Sequence, residues 1–222
     1  MKNLFSDELI SRIRKDPLIA VLVIDEAGDA VPLARALLRG GISVIELTLR
    51  TPAALEALER ILSEVPEVLA GIGTVLNAEQ VRAIKERGAA FGVSPGLNSA
   101  VVNAAREHAL PFAPGVMTPS EIETAYALGC TVMKLYPAEL AGGLKYLNNV
   151  SAPYVHLGIQ YIPLGGLTLE NLQSYLESPL VLGVGGSWLA PRKLVQEKAW
   201  DEISRNAEKA SEVVIKTTRS SG

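Results

Sequence analysis

Short apolar runs alternate with longer amphipathic stretches along almost the whole chain. The runs at residues 19–24, 44–49, 68–72, 90–93, 111–113, 131–136, 159–162 and 181–184 have strand length. The stretches at 29–39, 52–63, 78–87, 100–108, 119–128 and 169–176 repeat apolar residues at helical spacing, and 200–215 closes the chain in the same way. The punctuation agrees. Gly40-Gly41, Gly88 and Gly129 stand where helices should end. Thr51-Pro52 and Thr118-Pro119 put a capping hydroxyl before a proline at the first helical position, and Thr118 to Glu121 has capping-box spacing. Residues 1–17 read as an N-terminal helical segment, 18–215 as the body of the fold, and 216–222 as a polar, frayed tail.

Strands alternating with helices imply an α/β fold with parallel strands and right-handed crossovers. Eight such units predict a single (β/α)8 TIM barrel. A doubly wound open sheet is the competitor. The turn Asp25-Glu26-Ala27-Gly28 lacks the glycine fingerprint that such a sheet carries for dinucleotides.

Polar residues inside the apolar runs locate the chemistry. In Val44-Ile45-Glu46-Leu47-Thr48-Leu49-Arg50 the apolar positions share one face and Glu46, Thr48 and Arg50 the other. The apolar face should meet helices, which turns the polar face into the barrel. Arg50 then lies at the rim, roughly 13 Å along the strand from Glu46. In Val132-Met133-Lys134-Leu135-Tyr136 the same parity turns Lys134 inward. A buried ammonium is costly. A neutral, desolvated lysine amine is the nucleophile that forms Schiff bases with carbonyl compounds. The bland alternative is an ion pair across the lumen, with Glu46 as the partner. Gly73-Thr74 and Ser94-Pro95-Gly96 end the next strands. Gly165-Gly166 and Gly185-Gly186-Ser187 follow the last two, where barrels bind phosphate through backbone N–H groups.

Composition narrows this further. The chain has 222 residues, a net charge of −3 and 20% charged residues, so it shows no basic footprint for nucleic acid. No apolar run approaches membrane-spanning length and the N-terminus has no signal-peptide core, so a cytoplasmic protein without membrane partners is expected. The single cysteine, Cys130, reads as packing. Trp188 and Trp200 read as core, and His108 and His156 have no ligand-like spacing; no metal site is expected.

Six motifs together carry a resemblance: Glu46-Leu47-Thr48-Leu49-Arg50-Thr51, Gly73-Thr74-Val75, Ser94-Pro95-Gly96-Leu97, Pro114-Gly115-Val116-Met117-Thr118, Lys134-Leu135-Tyr136-Pro137-Ala138-Glu139 and Gly185-Gly186-Ser187-Trp188-Leu189. In this order the chain resembles the class I 2-keto-3-deoxy-6-phosphogluconate (KDPG) and 4-hydroxy-2-oxoglutarate aldolases, from about Ile19 to Leu189. The resemblance implies a cofactor-free lyase on a barrel, assembled as a homotrimer, that releases pyruvate and an aldehyde (glyceraldehyde 3-phosphate or glyoxylate). It implies that Lys134 forms the imine and that Glu46 moves protons through a water. It implies that Arg50 and Thr74 hold the carboxylate, that Pro95 lines the substrate site, and that Gly165, Gly166, Gly186 and Ser187 receive a distal phosphate. Two departures stand out. The family's Phe-Phe after the lysine is Leu135-Tyr136 here, and Leu164 replaces a threonine before Gly165-Gly166. Two other readings compete: a phosphosugar isomerase using Glu46 as base, which leaves Lys134 without a role, and a non-catalytic barrel that binds a small anion.

Overall fold

In the computed structural model, residues 4–220 are described. The chain begins with α1 (Asp7–Lys15), β1 (Leu18–Leu22), α2 (Ala30–Arg39), β2 (Val44–Thr48) and α3 (Ala54–Glu64). It continues through β3 (Leu69–Gly73), α4 (Ala78–Glu86), β4 (Gly92–Val93), α5 (Ser99–Glu107), β5 (Phe112–Ala113), β6 (Gly115–Val116) and α6 (Pro119–Ala127). The last part holds β7 (Val132–Leu135), α7 (Gly143–Ser151), β8 (Gln160–Pro163), α8 (Leu169–Leu176), β9 (Val184–Gly186), α9 (Arg192–Gln196) and α10 (Trp200–Ser220).

All strand pairs are parallel. A curled six-stranded sheet has the order β5-β4-β3-β2-β1-β9, and a three-stranded sheet has the order β6-β7-β8. Within each sheet, consecutive strands lie side by side, and the last strand pairs with the first (Leu18 with Val184). The strand order never reverses in mid-sheet, as a doubly wound sheet requires. Pro114 separates β5 from β6 because it has no N–H to continue a ladder. Single bridges, Tyr161 with Val181 and Leu164 with Gly185, join β8 to the β9 segment.

The period-two pattern sorts side chains into two apolar clusters. Ile45, Leu47, Met133 and Leu135 pack outward with the helices. Val21, Val44, Phe91, Val132, Ile162 and Leu182 pack on the concave side, together with Phe5, Leu9 and Ile13. The last two of those belong to α1, which therefore closes the amino-terminal end of the concave face. Its start is capped by Ser6, whose hydroxyl accepts from the Leu9 N–H at 3.2 Å. Residues 1–3 of the expected N-terminal segment lie outside the described residues.

Several local expectations meet different outcomes. Gly41, Gly88 and Gly129 end helices with φ of 86°, 85° and 82°. Thr118 forms the full capping box with Glu121. Thr51 does not cap: α3 starts later, at Ala54, and the Thr51 hydroxyl donates to the Ile24 carbonyl. Two helices carry no clear sequence signal. α7 begins behind the left-handed pair Gly142-Gly143, and α9 has only five residues. The tail expected to fray from residue 216 is helical through Ser220, because α10 continues to present a buried face: Thr217 is 6% exposed. Residues 221–222 lie outside the described residues.

Candidate active site

The carboxyl ends of the strands surround a cavity of about 360 Å³ lined by Val21, Glu46, Thr48, Arg50, Thr74, Pro95, Lys134, Tyr136, Leu164, Gly165, Gly186 and Ser187. Two smaller cavities, of about 210 and 220 Å³, flank Pro17 near the end of α10 and contain neither Lys134 nor Glu46. Of the residues singled out from the sequence, the large cavity collects Lys134, Glu46, Arg50, Thr74, Pro95, Gly165, Gly186 and Ser187. Gly166 is not among its lining residues; it is exposed, and the Glu139 side chain stands behind it.

Glu46 and Lys134 reach the cavity by the same rule. Each is the odd position in an apolar strand, and burial leaves them 2% and 6% exposed. Their strands lie on different sheets, yet the Lys134 ammonium donates to Glu46 Oε1 at 3.2 Å. The Tyr136 ring lies 5.5 Å from Lys134 Nζ, at the edge of the range where an aromatic face attracts a cation. The resting site is thus the ion pair that the bland reading expected. A buried pair contributes little to stability, because desolvation of the two ions offsets their attraction. What the pair does supply is a carboxylate held in hydrogen-bond contact with the lysine nitrogen.

The backbone around the pair is shaped for close approach. A Cβ at Gly73 would stand 1.9 Å from Glu46 Oε1, so the carboxylate occupies space that only glycine leaves open. A Cβ at Gly115, opposite Lys134 in the ladder, would stand 2.2 Å from the Pro95 carbonyl oxygen. Gly115 therefore lets the 94–96 turn lean over the lysine, and Ser94 braces that turn by donating to the Gly96 carbonyl at 2.7 Å. Pro95-Gly96 and Pro114-Gly115 are dipeptides of the kind that mark turns, but Gly115 is also a packing requirement. Gly73→Ala should push Glu46 off its position. The expected result is a fall in turnover of about a hundredfold with an unchanged far-UV circular dichroism spectrum. Near-normal turnover would show that the carboxylate tolerates displacement.

Thr74 has φ 60°, an uncommon conformation for a β-branched residue that costs on the order of 1–3 kcal/mol. Strain of this size persists where the surroundings enforce it, and here it sits on the cavity wall. Across the cavity, Ala138 N–H donates to the Leu164 carbonyl at 2.8 Å and Glu139 N–H to the Gly165 carbonyl at 3.0 Å. The segment after Lys134 thus holds the glycine turn. The Tyr175 hydroxyl donates to Glu139 Oε1, and burial pushes the phenol's pKa up. Beside the Gly186-Ser187 turn, α9 is tied to the β1 side by Arg192, which donates to both oxygens of Asp25 at 2.6 and 2.9 Å. That pairing holds the Asp25 carboxyl below the usual range.

The strand pattern turns Thr48 inward without assigning it a task. Its hydroxyl accepts from Arg50 Nε at 3.1 Å, and no local sequence signal marks that contact. Val21 also lines the cavity and was read only as strand. Cys130 is buried, and desolvation pushes its thiol up to about 12, so it stays protonated. His108 and His156 are exposed, while Trp188 and Trp200 pack partly buried against the outer core.

This arrangement has relatives. The family model for KDPG and KHG aldolases matches residues 9–206. A 2-dehydro-3-deoxy-phosphogluconate aldolase of Haemophilus influenzae is 38% identical over 209 residues, covering 94% of this chain and 98% of that one. The KHG/KDPG aldolase of Escherichia coli K12 is 39% identical over 212 residues, covering 96% and 98%. Among solved structures, the KDPG aldolase of Legionella pneumophila, with pyruvate captured at low pH as a covalent carbinolamine intermediate, superposes with a TM-score of 0.86. It is 35% identical, and the match covers 93% of this chain and 98% of that one. On these matches the chain belongs to the KDPG and KHG aldolase family.

Proposed function

We propose that the chain is a class I aldolase, a carbon–carbon lyase that cleaves a substrate of the KDPG or 4-hydroxy-2-oxoglutarate type to pyruvate and an aldehyde. The observation that carries this reading is the buried Lys134–Glu46 contact at 3.2 Å in the cavity of about 360 Å³ at the strand ends. A carbinolamine of pyruvate in a relative of the same family supports it. The isomerase reading leaves Lys134 idle.

The steps follow from the groups present. Glu46 accepts the Lys134 proton, and Lys134 Nζ attacks the C2 carbonyl carbon to give a carbinolamine. Glu46 returns that proton to the departing hydroxyl, and loss of water leaves a protonated imine, which draws electrons toward nitrogen. The C3–C4 bond then breaks into an enamine, while the proton of the C4 hydroxyl passes to Glu46 through a water and the aldehyde departs. Protonation at C3 and hydrolysis of the imine release pyruvate and restore the amine. Arg50 and Thr74 hold the C1 carboxylate, and Pro95 walls that side. Gly165, Gly186 and Ser187 receive a distal phosphate through backbone N–H groups and a hydroxyl. Gly166, with φ 84°, shapes the turn without facing the cavity.

The test is to incubate the protein with pyruvate and borohydride and measure its intact mass. A single reduced-pyruvate adduct at Lys134 is expected. A folded protein that takes up no adduct would favour the non-catalytic anion-binding reading.

Leu164 sets the aldehyde half. It is 4% exposed, lies on the cavity wall and packs where a Gly185 Cβ would be. An isobutyl group offers no partner to a substrate hydroxyl, and an unpaired buried hydroxyl costs about 1–3 kcal/mol. The preference for KDPG over 4-hydroxy-2-oxoglutarate is therefore expected to be weak. Leu164→Thr should raise the ratio of their kcat/KM values about tenfold or more. A strong KDPG preference in the parent protein would overturn this role.

The same proposal includes closure of the strands into a complete eight-stranded barrel, with β5 and β6 as one strand broken at Pro114. The bridges between β8 and β9 support it. A homotrimer and a cytoplasmic location belong to the proposal as well. Among the described residues no helix is long and apolar enough to cross a membrane.

A further inference from the structure

We propose that Thr48 is a positioning residue that aims Arg50 at the substrate carboxylate; this rests on the aldolase reading and deepens it. Thr48 is 4% exposed and lines the cavity. Its hydroxyl has one proton, and it donates that proton to the Leu22 carbonyl of β1 at 2.9 Å. The hydroxyl oxygen therefore turns a lone pair toward Arg50, whose Nε donates to it at 3.1 Å. A hydroxyl is free to rotate in principle. Here the carbonyl of the neighbouring strand fixes which way it points.

Arg50 needs such a guide. It is exposed at the rim, and a free arginine side chain spreads over many rotamers. Its backbone is held closely, since Arg50 N–H donates to the Thr48 carbonyl at 2.7 Å and the next hydroxyl, of Thr51, donates to Ile24. Among the described residues the side chain, by contrast, hydrogen-bonds only to Thr48. Among the described residues Arg50 makes no ion pair. Holding Nε leaves the two terminal nitrogens for a ligand. A carboxylate accepts from that fork, and the fork binds well only when its plane is fixed beforehand. Thr48 thus links β1, through Leu22, to the group that orients the substrate above Lys134.

The experiment titrates pyruvate against borohydride trapping, read by intact mass, in the parent protein and in Thr48→Val, Thr48→Ser, Arg50→Gln and Thr48→Val/Arg50→Gln. Valine keeps the shape and removes the hydroxyl. The expected result is a rise of about tenfold in the half-saturating pyruvate concentration for Thr48→Val, with the same adduct yield at saturation. Serine should restore the parent value to within about threefold. In the Arg50→Gln background Thr48→Val should add less than about twofold, because the group it aims is gone. A role in packing alone would lower stability without this pattern. An unchanged half-saturating concentration in Thr48→Val, or full additivity with Arg50→Gln, overturns the proposal while parent trapping leaves the aldolase reading standing. Absence of trapping in the parent protein overturns both.

Discussion

Lys134→Met is expected to remove the pyruvate adduct entirely and to lower aldol cleavage by on the order of 10⁴-fold or more, as loss of a covalent nucleophile does. Methionine suits an apolar strand, so the substitution should be accommodated sterically. It should still destabilise the protein. Glu46 is 2% exposed, and its only ion-pair partner among the described residues is Lys134. Breaking a buried pair by removing one partner costs about 3–5 kcal/mol. Urea unfolding should therefore show a lower midpoint for Lys134→Met, and a second substitution, Glu46→Leu, should recover much of it. Cleavage at near-parent rates would sink the imine mechanism. Unchanged stability would show that Glu46 finds another way to satisfy its charge.

The second large effect concerns the carboxylate. Glu46→Gln keeps the shape of the side chain and leaves an amide oxygen to accept from Lys134, but it cannot take up a proton. Cleavage is expected to fall by about 10²–10⁴-fold, the span typical of general acid–base groups. The imine should still form with pyruvate, more slowly, and be trapped to a comparable final yield. This split separates the two residues: the Lys134 variant loses the adduct, whereas the Glu46 variant loses turnover. Equal loss of trapping and turnover in Glu46→Gln would mean that the carboxylate serves amine activation alone.

The parts of this site that were legible in the sequence rest on period-two alternation. Ile45 and Leu47 go to the outer core while Glu46 and Thr48 go to the cavity, and Met133 and Leu135 flank Lys134 in the same way. That pattern needs no knowledge of partners. What could not be read depends on contacts between distant segments. The task of Thr48 appears only once β1 places the Leu22 carbonyl beside it. Thr51 looks like a cap because it precedes proline, but the Ile24 carbonyl takes its proton instead. Gly115 looks like turn chemistry until the Pro95 carbonyl is seen where its Cβ would be. The helical course of residues 216–220 depends on packing that a polar composition hides: Thr217 and Thr218 return their hydroxyls to the Val213 and Val214 carbonyls. Gly166 stands beside Gly165 in sequence as an equal, yet only Gly165 is among the residues that line the cavity.

The apolar plug formed by Phe5, Leu9 and Ile13 has a consequence for traffic. It fills the concave face at one end and leaves the cavity at the other. Lys134 stands where the filling stops, and Ser187 stands at the lip. In the proposed mechanism, pyruvate tethered to the lysine would leave after the aldehyde freed nearer the lip.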